Sequence, residues 1–390
     1  MKQVIEADYP ITFREMEAKG LSEYLAHHQS VVLVGMKRVG ISNFLRFFLS
    51  HYNTPPNLFV HVDLNDLIER NLSAFWTLLL TRLVDSVQDS NLPETEKRKC
   101  RRLFVQSIQL KDHFFTVDSV RKVLEIVVSA DLSPTIFLLR FDRLQEITSS
   151  DFFGNLIGLS DAVKGKMAYV FTSFREIPEL GPVFAKNMYL PPAKTSDMEI
   201  ILGPQSFDKK TRTELINLSG GYVQYLQLAV LRLAQDSTAL DNLSSDEQIA
   251  LQSEELFESL TKKEKDVLLS EKKDRKEAEY LWNTGIVNGD GKIFSPLFAA
   301  YLKNVSTMPA SLKEFTKKEH LLFTFLKHHE SELCEREAII DAVWSESKDL
   351  GVSDWAIDRL IARLRNKLKS QQSMYSIVTV VTRGYKLVKS

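Results

Sequence analysis

A chain of 390 residues is too long for one ordinary hydrophobic core, and two or three domains are expected. Its 44% hydrophobic and 26% charged residues fit a globular protein in water, and a formal net charge of -1 excludes a chain-wide field directed at nucleic acid or membrane. Cys100 and Cys334 match no metal-ligand spacing, which points to packed thiols in a reducing compartment. MKQVIEADYP lacks an apolar core and no window offers about 18 uninterrupted apolar residues, so a cytoplasmic protein without a membrane partner is expected.

From about 21 to 305, short apolar runs alternate with longer helical periodicities, the pattern of an α/β domain on a parallel sheet. Candidate strands are VVLVG at 31, LFVHVDL at 58, TIFLLRF at 135 and MAYVFTS at 167. Each is rich in β-branched or aromatic residues and nearly continuous in apolarity, as strands buried on both faces are. ISNFLRFFLSHY and SAFWTLLLTRLVDSV are the helices between them, the second followed by the charged ETEKRKCRR. YLPPAK closes the sheet, because two prolines break the chain. LSGGYVQYLQLAVLRLAQ then reads as a helix with Tyr222, Leu226, Ala229, Val230 and Leu233 on one face. LTKKEKDVLLS and AEYLWNTGIVNGDGKIFSPLFAAYL read as two helices and a hairpin turning at Asn288 to Gly291, a small winged-helix-like unit. VSTMPAS from 305 is a linker.

The stretch VVLVGMKRVGISNFLRFFL has the layout of a phosphate-binding loop: apolar strand, glycine loop, amphipathic helix. The usual spacing is G-x-x-x-x-G-K-[ST], and here Gly35, Gly40 and Ser42 are in place while Ile41 stands in the lysine position. In such a loop backbone N–H groups and a helix N-terminus wrap the phosphates, the lysine bridges the β and γ oxygens, and the serine ligates Mg²⁺. Ile41 leaves the backbone and removes the charge, so hydrolysis suffers more than binding. Lys37 and Arg38 lie inside the loop, either as solvated charges or as cations that swing toward a phosphate.

Hydrolysis also needs a carboxylate at the end of a buried strand, and TIFLLRFDRLQEI is that strand. Here the chain resembles the AAA-like and STAND-type P-loop ATPases, whose segment ends in Leu-Asp-Glu-Phe-Asp-Arg-Leu. In that register Leu139 and Arg140 stand where the two acids belong, and Asp142 matches the trailing aspartate. REMEAKGLSEYLAHHQSVVLVGMKRVGISNFLRFFL resembles the family's leading helix, strand, loop and first helix. VFTSFREIPEL resembles the strand carrying the polar sensor of the γ-phosphate, with Thr172 and Ser173 as candidates or as a simple strand-end cap. LSGGYVQYLQ resembles the start of the lid helix, but Gly221-Tyr222-Val223 lacks the family's proline. The resemblance covers roughly 11–305. It implies a degenerate module, a pseudo-ATPase with no catalytic residue, no metal site and no cofactor beyond ATP or ADP held without hydrolysis. Its nucleotide-binding candidates are Gly35, Lys37, Arg38, Gly40 and Ser42.

The C-terminal segments FTKKEHLLFTFLKHHESELCEREAIIDAVW, VSDWAIDRLIARLRNKLK and YSIVTVVTRGYKLV begin with a helix whose Thr316 and Glu319 form a capping box. A second helix spans 336–344 and Ser353 caps a third, in which Ile357, Ile361, Leu364 and Leu368 repeat on one face and point to the core. Between 351 and 390 eight Lys and Arg stand against two Asp, a local +6 of the kind that contacts a phosphate backbone. These segments resemble the winged helix-turn-helix of OmpR-type response regulators. The resemblance makes the third helix the one that enters the major groove and the hairpin a wing. It implies DNA contacts from Trp355, Arg359, Arg363, Arg365, Lys367 and Lys369 on the helix and from Thr382, Arg383 and Lys386 on the wing. Trp355, Ala356, Leu360 and Ala362 depart from the family's arginine, threonine, histidine and polar or basic residue, so base readout is weak, altered or carried by Arg359. Trp355 stacks, packs on a sugar or anchors a protein partner.

The expected architecture is thus an α/β P-loop NTPase-like parallel sheet with a helical lid, followed by winged-helix units. The boundaries are 1–195 for the degenerate ATPase-like domain, 196–250 for the lid, 251–306 for the winged-helix-like unit and 312–390 for the DNA-binding domain. The expected function is a DNA-binding, transcription-regulating protein with double-stranded DNA as partner. Two alternatives stand beside it: a protein-binding scaffold in a signalling or defence system, and an ATP-controlled switch.

Overall fold

The computed structural model describes residues 9–67, 69–110, 112–144, 148–203, 205–236, 239–307, 315, 317–344, 354–371, 373–380 and 383–389, without the side chains of 239, 241, 307, 317, 354–356 and 370. It forms two compact units, Met1–Ala299 and Ala300–Ser390.

In the first unit α1 (Glu15–Ala26) leads into β1 (Ser30–Val34), and α2 (Ile41–Tyr52) carries the chain to β2 (Asn57–Asp63). Three long helices, α3 (Leu72–Asp89), α4 (Glu94–Leu110) and α5 (His113–Ser129), precede β3 (Ser133–Leu139). Next come α6 (Ser150–Ala162), β4 (Ala168–Ser173), the short α7 (Gly181–Phe184) and β5 (Ala185–Tyr189). The strands form one parallel sheet in the order β2-β3-β4-β1-β5, with β1 between β4 and β5 through Val31↔Val170 and Val31↔Lys186.

All five residues of β1 and all six of β4 are buried, which is why both read as unbroken apolar runs. β5 is an addition to the four expected strands. As AKNMY at the sheet edge it exposes Lys186 and Asn187 and so shows no apolar run. Phe48 of α2 stacks 5.9 Å from Phe59, which meets Phe137 of β3 edge-on at 5.0 Å. Each ring so buried contributes roughly 1.5–3 kcal/mol. Both cysteines are free and buried, and burial pushes the Cys100 thiol up to about 11.

After Pro191 and Pro192 the described elements are helical: α8 (Thr195–Leu202), α9 (Lys209–Ser219), α10 (Val223–Gln235), α11 (Glu247–Glu258), α12 (Lys262–Leu269), α13 (Glu279–Asn283) and α14 (Pro296–Thr307). The expected hairpin is present as the bridge Val287↔Ile293 around a turn closed by Gly291 N–H on the Asn288 carbonyl at 3.0 Å. Gly220 and Gly221, at φ 58° and 80°, set these helices against the hairpin and against the chain that leaves β5. A Cβ on Gly220 would lie 2.1 Å from the Phe294 carbonyl oxygen, and one on Gly221 2.1 Å from that of Ala193. Only glycine permits both the backbone angle and the approach.

The second unit holds α15 (Lys317–His328), β6 (Cys334–Glu335), α16 (Arg336–Val343), α17 (Asp354–Ser370), β7 (Tyr375–Val380) and β8 (Gly384–Lys389), with an antiparallel sheet in the order β6-β8-β7. Three helices and a terminal hairpin make a winged helix. Its core joins Leu322, Leu326, Ile339, Ile361, Leu364 and Leu387. Ile357, Ile361, Leu364 and Leu368 are all buried, as their spacing requires. The expected caps Thr316 and Ser353 lie outside the described residues, as does the linker from 308 on.

Candidate phosphate loop and nucleic-acid interface

Residues 35–40 connect β1 to α2 at the carboxyl edge of the sheet, where α/β folds place their ligands. Gly40 sits at φ 105° as the N-cap of α2, a conformation that excludes side-chain-bearing residues. Gly35 is held by close approach: a Cβ there would lie 2.9 Å from Val39 Cγ1 and 3.1 Å from Ile41 Cδ1. The isoleucine in the lysine position therefore packs back over the loop, and Met36 and Val39 are also buried. Ser42 is exposed.

Several polar groups of the loop contact the protein. Arg38 Nε donates to Glu255 Oε2 of α11 at 3.0 Å, with the Glu255 side chain only 10% exposed. The Tyr222 hydroxyl donates to the Lys37 carbonyl at 2.5 Å, and Lys37 Nζ lies 5.7 Å from the centre of the Phe174 ring. Arg14, buried in front of α1, donates to the carbonyls of Val39 at 3.4 Å and Pro191 at 3.0 Å. Its backbone N–H donates to Asp197 Oδ1 at 2.8 Å. Sequence reasoning missed Arg14, although the Arg14 and Glu17 pair at i,i+3 was visible in REME.

At the ends of β3 and β4, Arg140 adopts φ 58° and pairs with Asp63, while its backbone N–H donates to Thr172 Oγ1 at 2.7 Å. Asp142 Oδ1 accepts from Ser173 Oγ and from the Phe174 N–H, both at 2.9 Å. Thus Ser173 bonds to Asp142, while Thr172 accepts from the backbone of Arg140. Two residues beyond β4, Arg175 donates to both carboxylate oxygens of Glu264 at 2.7 and 2.9 Å and to the Ser259 carbonyl at 2.8 Å, stacking 3.8 Å over Tyr280.

In the second unit α17 shows three faces. The exposed line is Asp358, Ala362, Asn366 and Lys369. Leu360, expected on the readout face because the family has a polar residue there, is 1% exposed and belongs to the core. The reason is spacing, since it follows Ile357 by three and precedes Leu364 by four. Arg363 and Lys367 turn toward α15. There the fully buried Glu319 accepts from Lys367 Nζ at 2.6 Å and lies 3.8 Å from Arg363 Nε.

Arg365 is half-buried against the wing, donating from Nε to the Ile377 carbonyl at 2.8 Å and from Nη2 to Thr379 Oγ1 at 2.7 Å. Arg359 and Lys386 are half-exposed, and Arg383 is exposed at the turn between β7 and β8. Thr382 and the Trp355 side chain lie outside the described groups. Asp358 does not leave a bare negative charge on this face. The Tyr385 hydroxyl and the Arg336 guanidinium, 2.7 Å away, hold its carboxyl below the usual range. Burial and the same bond push Tyr385 up to about 12. Asn366 is the exposed polar residue that sequence reasoning passed over. Its position four residues after Ala362 was the available signal.

Comparison with curated proteins finds no match. Among solved structures, the ORC1 protein of Aeropyrum pernix in complex with DNA is similar with a TM-score of 0.40 at 11% identity, over 98% of this chain and 90% of that one. A Walker-type ATPase of Pyrococcus abyssi gives 0.47 at 16%, over 74% and 95%. A STAND protein with a tetratricopeptide repeat sensor from Pyrococcus horikoshii gives 0.33 at 13%, over 90% and 53%. These are loose likenesses in the course of the chain. Residues 311–387, the segment that folds as the winged helix, match the family described as transcriptional regulatory protein, C terminal.

Proposed function

We propose that this protein is a DNA-binding transcriptional regulator that contacts duplex DNA through α17 and its wing. The observation that carries this is the exposed line of α17 with Ala362, Asn366 and Lys369, together with the exposed Arg383 of the wing, in a segment that matches a family of transcriptional regulators. Lys369 and Arg383 meet phosphates, Asn366 has the paired donor and acceptor that reads adenine in the major groove, and Arg365 braces the wing against the helix. Arg363 and Lys367, held by Glu319, shape the electrostatic field of the face. Gel-shift titration tests the reading: the intact chain binds duplex DNA at low salt and Lys369→Ala weakens it, and absence of binding at low salt contradicts it.

We further propose that the phosphate loop is a structural joint and hydrolyses no nucleotide. Ile41 covers Gly35, Arg38 is paired with Glu255, and Arg140 and Asp142 are committed to Asp63 and to Ser173 with Phe174. These bonds support the reading, because Arg38, Arg140 and Asp142, three of the charged groups nearest the loop and the strand ends, pair with other protein groups there. A bound ATP or ADP is compatible with it, turnover is not. Leu360 is buried, so this departure from the family offers no exposed surface to a protein partner.

A further inference from the structure

Asp358 is an acid on the exposed line of α17, one of two Asp among eight Lys and Arg between 351 and 390. A carboxylate on a face that meets phosphates weakens backbone contacts by like-charge repulsion. What it can contribute there is a contact of another kind, and the bonds that hold it leave one oxygen for that contact.

Both bonds fall on Oδ1. The Tyr385 hydroxyl of β8 donates to that oxygen, and Arg336 Nη2, at the start of α16, lies 2.7 Å from it. Arg336 Nη2 also donates to the Tyr385 hydroxyl at 3.1 Å, so three side chains close a triangle across α16, α17 and β8. Tyr385 is 3% exposed while the Asp358 side chain is 53% exposed, which puts the tied oxygen on the inner side. Oδ2 accepts no hydrogen bond among the described groups.

An ionised carboxylate oxygen is an acceptor and nothing else. In the major groove cytosine offers the N4 amino donor, guanine the O6 and N7 acceptors, thymine the O4 acceptor, and adenine an N7 acceptor beside its amino group. Acceptors repel one another, so a lone carboxylate oxygen favours cytosine. Recognition helices bring their N-terminal residues to the base edges, and Asp358 is the fifth residue of α17, which starts at Asp354. Asn366 lies about 12 Å further along the helix and reaches a different base pair.

We propose that Asp358 is a specificity-determining residue whose Oδ2 accepts from the N4 amino group of one cytosine, with Tyr385 and Arg336 as its positioning residues. The proposal rests on the DNA-binding reading above. Because Oδ1 is already tied, ordering this side chain on binding costs little.

Selection by the full chain from a duplex pool with about 20 randomised base pairs, read by sequencing, tests it. The wild-type chain enriches cytosine about tenfold at one position. Asp358→Ala loses the preference at that position alone, and Asn366→Ala leaves it in place. Asp358→Asn keeps an oxygen for Tyr385 and Arg336 but turns the second group into a donor, so the preference there moves to an acceptor-bearing base, guanine or thymine. Thermal melting is recorded for each variant, and if Asp358→Ala is unfolded, Asp358→Asn decides. A role confined to bracing the wing gives another pattern, in which Asp358→Ala weakens all sequences equally and the cytosine preference stays. That pattern, or a wild-type selection with no cytosine position, overturns the proposal and leaves DNA binding standing. Failure to bind any duplex at low salt overturns the DNA-binding reading and this proposal with it.

Discussion

Asp142 is the residue that separates a catalytic from a structural reading of the sheet edge. It accepts two hydrogen bonds from the end of β4, so Asp142→Ala strands the Ser173 hydroxyl and the Phe174 N–H. The expected outcome in urea unfolding is a loss of about 1–3 kcal/mol with no change in ATP turnover. A catalytic ligand would show the reverse, lost turnover at nearly constant stability. On α17 the two proposed DNA contacts have different signatures. Lys369→Ala weakens binding evenly across sequences and lowers the salt slope by about 1, while Asn366→Ala costs about 1–3 kcal/mol at one A·T position and relaxes specificity there. Competition binding against sites varied one base pair at a time distinguishes them.

Two joints decide how the helical segment stays on the sheet. In the first, burial alone pushes the Glu264 carboxyl up, but the Arg175 guanidinium and the Thr261 N–H more than reverse this and leave it below the usual range. A depressed folded pKa means stability that is fully present above the ordinary carboxylate range and lost as pH falls through the folded value. Unfolding midpoints are therefore expected to drop on the acid side, and Glu264→Gln removes about 1–3 kcal/mol at neutral pH and flattens that dependence. In the second, Gly221→Ala forces a methyl group onto the Ala193 carbonyl at positive φ, and a loss of about 2–4 kcal/mol in thermal or urea unfolding is expected. At this scale the sequence was legible wherever burial is two-sided or one-faced. The runs of β1, β3 and β4 and the spacing of Ile357, Ile361, Leu364 and Leu368 follow directly from it. β5 was hidden because Lys186 and Asn187 face water at a sheet edge. The orientation of Arg363 and Lys367 was hidden because Glu319, more than 40 positions earlier, has no local signature in the helix that it turns.

Across the whole molecule, the charge that the chain lacks in sum is concentrated where the winged helix needs it: net -1 over 390 residues, against eight basic and two acidic residues after 350. With the phosphate loop acting as the structural joint proposed above, 1 mM ATP with Mg²⁺ is expected to change neither the DNA affinity nor the phosphate released, at roughly the background of buffer. The central claim is tested most directly by fluorescence anisotropy of the full chain on a labelled duplex across a series of salt concentrations. The predicted result is binding at low salt that falls with a log–log slope of about −3 to −5, as Lys369, Arg383 and their basic neighbours release counterions. A flat response, or no binding at low salt, would contradict it.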